Sequence, residues 1–337
     1  MTENHSIIIV GAGPGGIAVA AALHDRKISD VAIIESGEIG EAWSDYPSET
    51  HLLSESLPEK DDNKIDDVDT SDIFPNIPHP SHVLYQKYLA YVVAQKQITV
   101  IPHTSIDQVL FNSDLKEFRL TAHDGREFIA KKVIWSAGMF STPVENMECE
   151  GCFIHYARFP YLNESSDEEM TVVGSANGAT SVVMQLAKPG RVVKLLVPHT
   201  FEVPEPIDCL WKENMQFVLD LENEGLVEII QNVRAKRIYK EDGMYVIETE
   251  DDKKILSKTK PILCIGFLPN IAPIKHLIDI KDEHHDLILQ TDDAHQSLKQ
   301  PGLYVAGVVG KKNHDQGMIV SFREFGPVIA DNIVREL

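Results

Sequence analysis

The chain opens its regular pattern with Ile7-Ile8-Ile9-Val10, an unbroken apolar and largely β-branched run. Runs of this kind form strands buried on both faces of a parallel sheet. The turn Gly11-Ala12-Gly13-Pro14-Gly15-Gly16 follows at once, then the small, helix-favouring residues Ile17 to Leu23. A second apolar run, Val31-Ala32-Ile33-Ile34, closes on Glu35. Strand, glycine turn, helix, strand and acid in that order make one βαβ unit. Over residues 44–80 the pattern lapses, and Asp61, Asp62, Asp66, Asp67, Asp69 and Asp72 accumulate. A calcium-binding EF-hand loop needs acids at alternate positions and glycine at the sixth, but counting from Asp61 the fifth is Ile65 and the sixth Asp66. The stretch therefore reads as a solvated acidic loop. Helical spacing returns from His82 to Gln95, with Leu84, Tyr88, Leu89, Val92 and Val93 on one stripe. Strand-like stretches are expected at 98–101, 107–111, 117–122 and 127–135, with a turn at Asp124-Gly125.

Ser141-Thr142-Pro143 marks a boundary, beyond which the pattern restarts. Met170-Thr171-Val172-Val173 predicts a strand, Gly174-Ser175-Ala176-Asn177-Gly178-Ala179 a second glycine turn, and 180–188 a helix stopped by Pro189-Gly190. Val192 to Val197 predicts the next strand. Pro261 to Gly266 and Leu303 to Gly307 are two further strands ending in glycine, and a helix from about Ile319 closes the chain. The fold class this implies is α/β, with the second half repeating the logic of the first.

The 337 residues suit two domains, and the balance of 31 Lys and Arg against 52 Asp and Glu leaves a net charge of −21. An acidic surface repels phosphate backbones and anionic lipid, so neither nucleic acid nor membrane is an expected partner. A phosphorylated cofactor remains compatible, because amides at a helix start hold an anion locally. Four cysteines are too few for a disulfide scaffold, and no basic-then-apolar leader precedes the first strand. The expectation is a reduced, soluble, cytoplasmic protein. Asn163-Glu164-Ser165 fits a glycosylation acceptor but carries no weight without a secretion signal.

A glycine turn between strand and helix serves a pyrophosphate through three separate positions: one for the tight turn, one for close approach of phosphate, one for helix–strand packing. Gly11, Gly13 and Gly16 fill them, and Glu35, 19 residues past Gly16, stands where a carboxylate accepts ribose hydroxyls. The second turn departs from this pattern. Gly174 holds the first place, but Ala176 and Ala179 hold the second and third, so a methyl stands where pyrophosphate comes closest. The following strand ends Val197-Pro198-His199-Thr200, with neither the acid that selects a ribose 2′-hydroxyl nor an Arg for a 2′-phosphate; His199 leans towards NADPH over NADH. A second unit that binds no nicotinamide, leaving a nucleotide-binding sensor rather than an enzyme, stays open.

With these motifs the chain resembles the two-dinucleotide-binding-domain flavoproteins, in which an FAD domain carries an inserted NAD(P)H domain. The resemblance covers nearly the whole chain and implies two Rossmann-like domains: FAD-binding over 1–143 and 267–337, NAD(P)H-binding over 144–266. Ile134-Trp135-Ser136-Ala137-Gly138 is similar to the family's strand ending in Ala-Thr-Gly, and Pro261 to Gly266 to its second copy. Gly302 to Gly307 is similar to the late FAD motif, although Val308 stands where an Asp usually holds the ribityl chain. By the same resemblance Thr104-Ser105-Ile106 would meet adenine, Gly317-Met318 would face the flavin, and Trp43, Tyr46 and His51 are candidates near the ring.

Two branches of that group compete. The flavin-monooxygenase branch has a linker motif Phe-x-Gly-x-x-x-His followed by an aromatic, and Cys149-Glu150-Gly151-Cys152-Phe153-Ile154-His155 and Phe159 match it except for Cys149. Gly40-Glu41-Ala42-Trp43 is similar to that branch's Gly-Gly-x-Trp. His155 is a catalytic candidate, though a linker histidine satisfied by backbone bonds is the commoner outcome. The other branch is thiol–disulfide reduction: Cys149 and Cys152 form a CxxC placed as in thioredoxin-reductase-like enzymes, with two plain linker thiols as the simpler account. Bacillithiol-disulfide reductases resemble the chain in length but carry Cys in the first glycine turn, where Gly15 stands here. His284-His285 and Asp292-Asp293 lack metal spacing and read as exposed loop residues. The sequence thus points to an FAD-dependent NAD(P)H oxidoreductase acting on a small molecule, with a homodimer implied by the resemblance.

Overall fold

The computed structural model describes residues 2–44, 46, 50–147, 151–159, 168–201, 212–283, 286–312 and 317–336. Cys149, the pair His284-His285 and the sequon at Asn163 lie outside them. The chain divides into two compact units: 1–44, 51–142 and 268–337 form the first; 45–50 and 143–267 form the second.

The first unit begins with β1 (Thr2–Val10), α1 (Pro14–Asp25) and β2 (Val31–Ile34). The short pair β3 (Ser56–Leu57) and β4 (Lys60–Asp61) precedes α2 (His82–Gln95), β5 (Thr99–Ile101) and the meander β6 (Ile106–Asn112), β7 (Glu117–Ala122) and β8 (Glu127–Trp135). The second unit then supplies β9 (Ile154–His155), β10 (Met170–Val173), α3 (Asn177–Leu186), β11 (Val193–Leu196), α4 (Lys212–Asn223) and β12 (Val227–Ile230). It ends with β13 (Ala235–Glu241), β14 (Met244–Thr249), β15 (Lys254–Ser257) and β16 (Ile262–Leu263). The chain returns to the first unit through β17 (Ile280–Glu283), β18 (Asp286–Leu289), β19 (Leu303–Val305) and α5 (Ile319–Glu336).

Each unit is built on a parallel sheet of the same order. In the first, β5-β2-β1-β8 run parallel, extended by antiparallel β7 and β6, with β19 also parallel to β8. In the second, β12-β11-β10-β16-β9 are all parallel, and β13-β14-β15 form a separate antiparallel sheet. Outer strand, second strand, first strand, late strand: that order places a crevice beyond the carboxyl ends of the central strands, where α/β sheets bind ligands. The continuous apolar runs of the sequence are buried as expected, with Ile7, Ile8 and Ile9 at most 1% exposed. In the described residues no helix is long and apolar enough to cross a membrane.

The helix over 82–95 buries Tyr85, Tyr88, Leu89, Val92 and Val93, with Leu84 partly buried against the same core, so Tyr85 joins the core-facing stripe the sequence indicated. α3 begins three residues earlier than the pattern suggested, at Asn177. The acidic stretch is not simply solvated. Buried Asp61 accepts the Thr70 amide (2.7 Å), the Thr70 hydroxyl (2.9 Å) and the amides of Asn63 and Lys64, tying the loop together. Asp66 and Asp67 converge with Asp25 on the Lys96 ammonium at 2.7, 2.8 and 2.9 Å. These carboxylates could hold a metal ion by spacing alone, but Lys96 fills the place between them. Burial works against that ammonium's charge, and the three acids outweigh it, raising its pKa.

α1 and α5 pack closely because Gly326 offers no side chain: a Cβ there would lie 2.5 Å from the Ala18 carbonyl oxygen. Asp292 is a turn former and not a free loop acid, its Oδ1 accepting the amides of Ala294 (2.9 Å) and Gln296 (2.8 Å), whereas Asp293 is exposed. Beside it His295 is buried, its ring 4.4 Å from that of Phe325. Burial, aided by Lys312 and opposed by Asp292 and Asp293, lowers its pKa from 6.5 to about 4. The unfolded chain takes up that proton first, so stability is full above about pH 6.5 and falls as pH drops towards 4, by at most about 3 kcal/mol. Urea unfolding across that range should show the loss, and His295→Asn, which tolerates the left-handed backbone there, should flatten it. An unchanged slope in the variant would assign the acid sensitivity elsewhere.

Candidate functional site

The first glycine turn is shaped by what presses on it. Gly11 has φ +107°, its amide donates to the Ile34 carbonyl (2.8 Å), and a Cβ there would lie 2.4 Å from the Ser136 carbonyl oxygen. A Cβ on Gly16 would lie 2.1 Å from the Gly11 oxygen, and one on Gly15 would lie 2.4 Å from the Gly307 Cα. Only Gly13 differs. Among the described residues, no atom beyond its own neighbouring backbone stands within 4 Å of the place its Cβ would take, and its φ of −82° is open to any residue. Glycine at 11, 15 and 16 is thus required by protein, whereas at 13 it leaves an open cradle at the start of α1, whose first-turn amides have no side-chain cap. An anion fits such a cradle.

Glu35 closes the cradle. Its Oε2 accepts the Ala12 amide at 2.5 Å, and its Oε1 accepts the Ser36 hydroxyl (2.8 Å) and the Gly37 amide (3.0 Å). The carboxylate is half-buried and fixed beside the turn, with a lone pair of Oε2 still open and one of the two donors on Oε1 a rotatable hydroxyl that can yield to a ribose hydroxyl. The Thr104 amide donates to the Glu35 carbonyl (2.7 Å), which brings the segment leading into Ile106 to the same edge. Gly40 donates to Ala12 (3.0 Å) and carries the short helical turn with Trp43, whose ring meets Tyr85 edge-on at 5.0 Å. Ser136 donates from its hydroxyl to the carbonyls of Val10 and Gly11, leaving Ala137 and Gly138 (φ +66°) just beyond the turn. Gly317 and Met318 lead into α5, and Met318 is exposed. His51 is an exposed residue, and Tyr46 carries a phenol whose pKa burial pushes up to about 12, a packed ring rather than an ionising one.

The second unit repeats this build. The Gly174 amide donates to Leu196 (3.0 Å), its φ is +141°, and a Cβ there would lie 2.3 Å from the Cys264 carbonyl oxygen, as Gly11 stands to Ser136. Gly266, with φ +91° and open space around it, occupies the place of Gly138. The position of Gly13 is taken by Ala176, and its methyl stands in what would be the cradle. In place of Glu35, His199 reaches back to the turn: its Nε2 lies 2.9 Å from the Ser175 hydroxyl and its Nδ1 3.0 Å from the Thr200 carbonyl. With Nδ1 donating to that carbonyl, Nε2 accepts from Ser175. Asn214, buried on α4, donates to the Asn177 side chain (3.1 Å) at the start of α3, and Ala179 packs in the core beneath. Asn214 lies in a helix the sequence pattern did not disclose, so its role had no signal.

His155 is fully buried, and both its nitrogens serve backbone groups. Nε2 donates to the Gly266 carbonyl (3.0 Å), and Nδ1 accepts the Ala157 amide (3.3 Å). Burial lowers its pKa, so it is neutral and without a spare proton for chemistry. Among the two sulfurs of the CxxC, Cys152 is described and is disulfide-bonded, in contrast to the expectation of plain reduced thiols. Cys264 is a free thiol, buried so fully that its pKa is raised.

The chain matches the pyridine nucleotide-disulphide oxidoreductase family over residues 8–307. It is similar to the probable indole-3-pyruvate monooxygenase YUCCA1 of Arabidopsis thaliana, 24% identical over 206 residues that cover 59% of this chain and 48% of that protein. The chain therefore spans about half the length of the curated relatives it matches. Among solved structures, the bacillithiol disulfide reductase of Bacillus cereus superposes with a TM-score of 0.83 at 22% identity, covering 99% of this chain and 100% of that one. The flavin-containing monooxygenase of Stenotrophomonas maltophilia superposes with a TM-score of 0.75 at 16% identity, covering 99% of each. Two Rossmann-like units, two glycine turns of one build, and a family match over most of the length lead to one assignment: the chain belongs to the pyridine nucleotide-disulphide oxidoreductase family.

Proposed function

We propose that the chain is an FAD-dependent NAD(P)H oxidoreductase of the flavin-monooxygenase-like kind, with FAD in the first unit and the nicotinamide dinucleotide in the second. The observation that carries this is the pair of glycine turns. In one, an open cradle at Gly13 lies beside the fixed carboxylate of Glu35; in the other, His199 replaces the acid. The amides at the start of α1 would take the FAD diphosphate and Glu35 its ribose. Gly138, Gly307 and the start of α5 would lie along the rest of the molecule. The bound flavin supplies hydride acceptance from the nicotinamide and electron delivery to oxygen or a small acceptor. Replacing a carboxylate by an imidazole removes the charge that would repel a 2′-phosphate, so NADPH is the preferred donor and NADH a weaker one. Ala176 narrows the second site, and the cost falls on affinity for the donor. His155 takes no part as acid or base.

A small-molecule substrate, a homodimer and a cytoplasmic setting complete the reading. The test is anaerobic mixing of the FAD-loaded protein with NADPH or NADH while the visible flavin absorbance is followed. The expected result is bleaching by both, faster with NADPH at equal concentration. A protein that holds FAD yet bleaches with neither would contradict it.

One observation favours a second reading. Cys152 is disulfide-bonded, which suits a reading in which Cys149, outside the described residues, would be its redox partner and the pair would carry thiol–disulfide reduction. On that account Cys149→Ser with Cys152→Ser abolishes disulfide-reducing turnover while sparing flavin bleaching by NADPH. Full turnover in the double variant removes the dithiol from the mechanism.

A further inference from the structure

Gly178 is the second residue of α3, and glycine inside a helix is less favourable than alanine. Its backbone angles do not call for glycine, since its φ lies outside the left-handed region. What stands in the way of a side chain is an aromatic ring: a Cβ on Gly178 would lie 3.0 Å from the Tyr156 Cζ and 3.1 Å from its hydroxyl oxygen. In the first unit the corresponding Gly15 gives way to the backbone of Gly307 instead. The second unit therefore sets the start of its helix against a side chain, and that side chain has its own support. Tyr156 adjoins His155, whose two nitrogens are spent on Gly266 and Ala157. The rings of His155 and Tyr156 lie 4.9 Å apart, and Phe267 meets them edge-on at 4.9 and 5.4 Å.

We propose that Tyr156, held by His155 and Phe267, is a strut that fixes where the second glycine turn presents its first-turn amides. Tyr156 and His155 are thereby positioning residues for the dinucleotide pyrophosphate. This rests on the second unit binding NADPH. The same Gly266 carbonyl that receives His155 also accepts the Val144 amide (3.0 Å), so the histidine anchors the strand end beneath the turn as well as the ring that props it. A histidine so placed is retained for its two-sided hydrogen bonding and its shape, and the chemistry of the reaction does not pass through it.

The experiment measures NADP⁺ binding to the FAD-loaded protein by calorimetry, together with the NADPH dependence of flavin bleaching. Gly178→Ala drives a methyl into the ring and should weaken NADP⁺ roughly tenfold, as overpacking of a tight contact does, while the bleaching rate at saturating NADPH holds. Tyr156→Leu in the same protein removes the ring and should bring affinity back to near wild type. His155→Gln, which keeps a donor and an acceptor, should bind NADP⁺ better than His155→Phe. Flavin content and melting of each variant show that the fold is kept. If Gly178→Ala binds as wild type does, or if Tyr156→Leu brings no relief, the strut is wrong. If the wild-type protein itself binds no NADP⁺, the functional reading of the second unit fails.

Discussion

Gly13→Ala should weaken FAD binding roughly 10- to 150-fold, the equivalent of one lost charge-assisted hydrogen bond of about 1.5–3 kcal/mol, and leave the apoprotein folded. Among the described residues, nothing outside the turn's own backbone lies within 4 Å of the added methyl, and φ of −82° suits alanine. Alanine is a poorer residue than glycine at a helix start, but the cost stays below about 1 kcal/mol. Any large effect therefore comes from what binds in the cradle. Fluorescence titration of apoprotein with FAD, beside thermal melting without it, separates the two. An unchanged FAD affinity would place the diphosphate elsewhere, whereas a large fall in apoprotein stability would make Gly13 a structural glycine like its neighbours.

Two residues on, the expectation reverses. Gly15→Ala should destabilise the apoprotein by about 3 kcal/mol, at the upper end of overpacking costs, or roughly 6–12 °C in melting temperature for a unit of this size. The methyl would lie 2.4 Å from the Gly307 Cα and 2.6 Å from its nitrogen, and backbone has no rotamer by which to withdraw. Relief requires α1 and the segment after β19 to separate, which also distorts the flavin cradle, so FAD affinity falls with stability. The same contact bears on which branch of the group this chain follows. A cysteine at this place, the mark of the bacillithiol-type reductases, does not fit the turn as it is set here. Gly15→Cys should accordingly melt early and gain no disulfide-reducing activity. Melting like that of wild type would show that the Gly15–Gly307 approach can open.

Much of this architecture was legible because parallel strands buried on both faces announce themselves as unbroken apolar runs. Ile7 to Val10, Val31 to Ile34 and Met170 to Val173 needed no partner to be recognised, and the glycines that follow them mark turns. The antiparallel pieces were harder. β13, β14 and β15 alternate weakly and are punctuated by charged residues, and α4 has a mean hydropathy too low for its pattern to stand out. Capacity to bind was only partly readable. The spacing of Gly11, Gly13 and Gly16 indicated a pyrophosphate turn without showing which glycine makes room for ligand and which for protein. That distinction depends on Ser136 and Gly307, more than a hundred residues away in the chain. For the same reason the anchoring of His155 depends on Gly266, far along the chain, and the acid cluster around Lys96 joins three separate segments. No local pattern carries such information.

The most direct test of the account is a crystal structure of the protein with FAD. The account predicts that the diphosphate lies against the amides at the start of α1, within van der Waals reach of the Gly13 Cα, with both hydroxyls of the adenosine ribose on the Glu35 carboxylate. FAD bound away from Gly13 and Glu35, or a crevice that stays empty at saturating FAD, would contradict it.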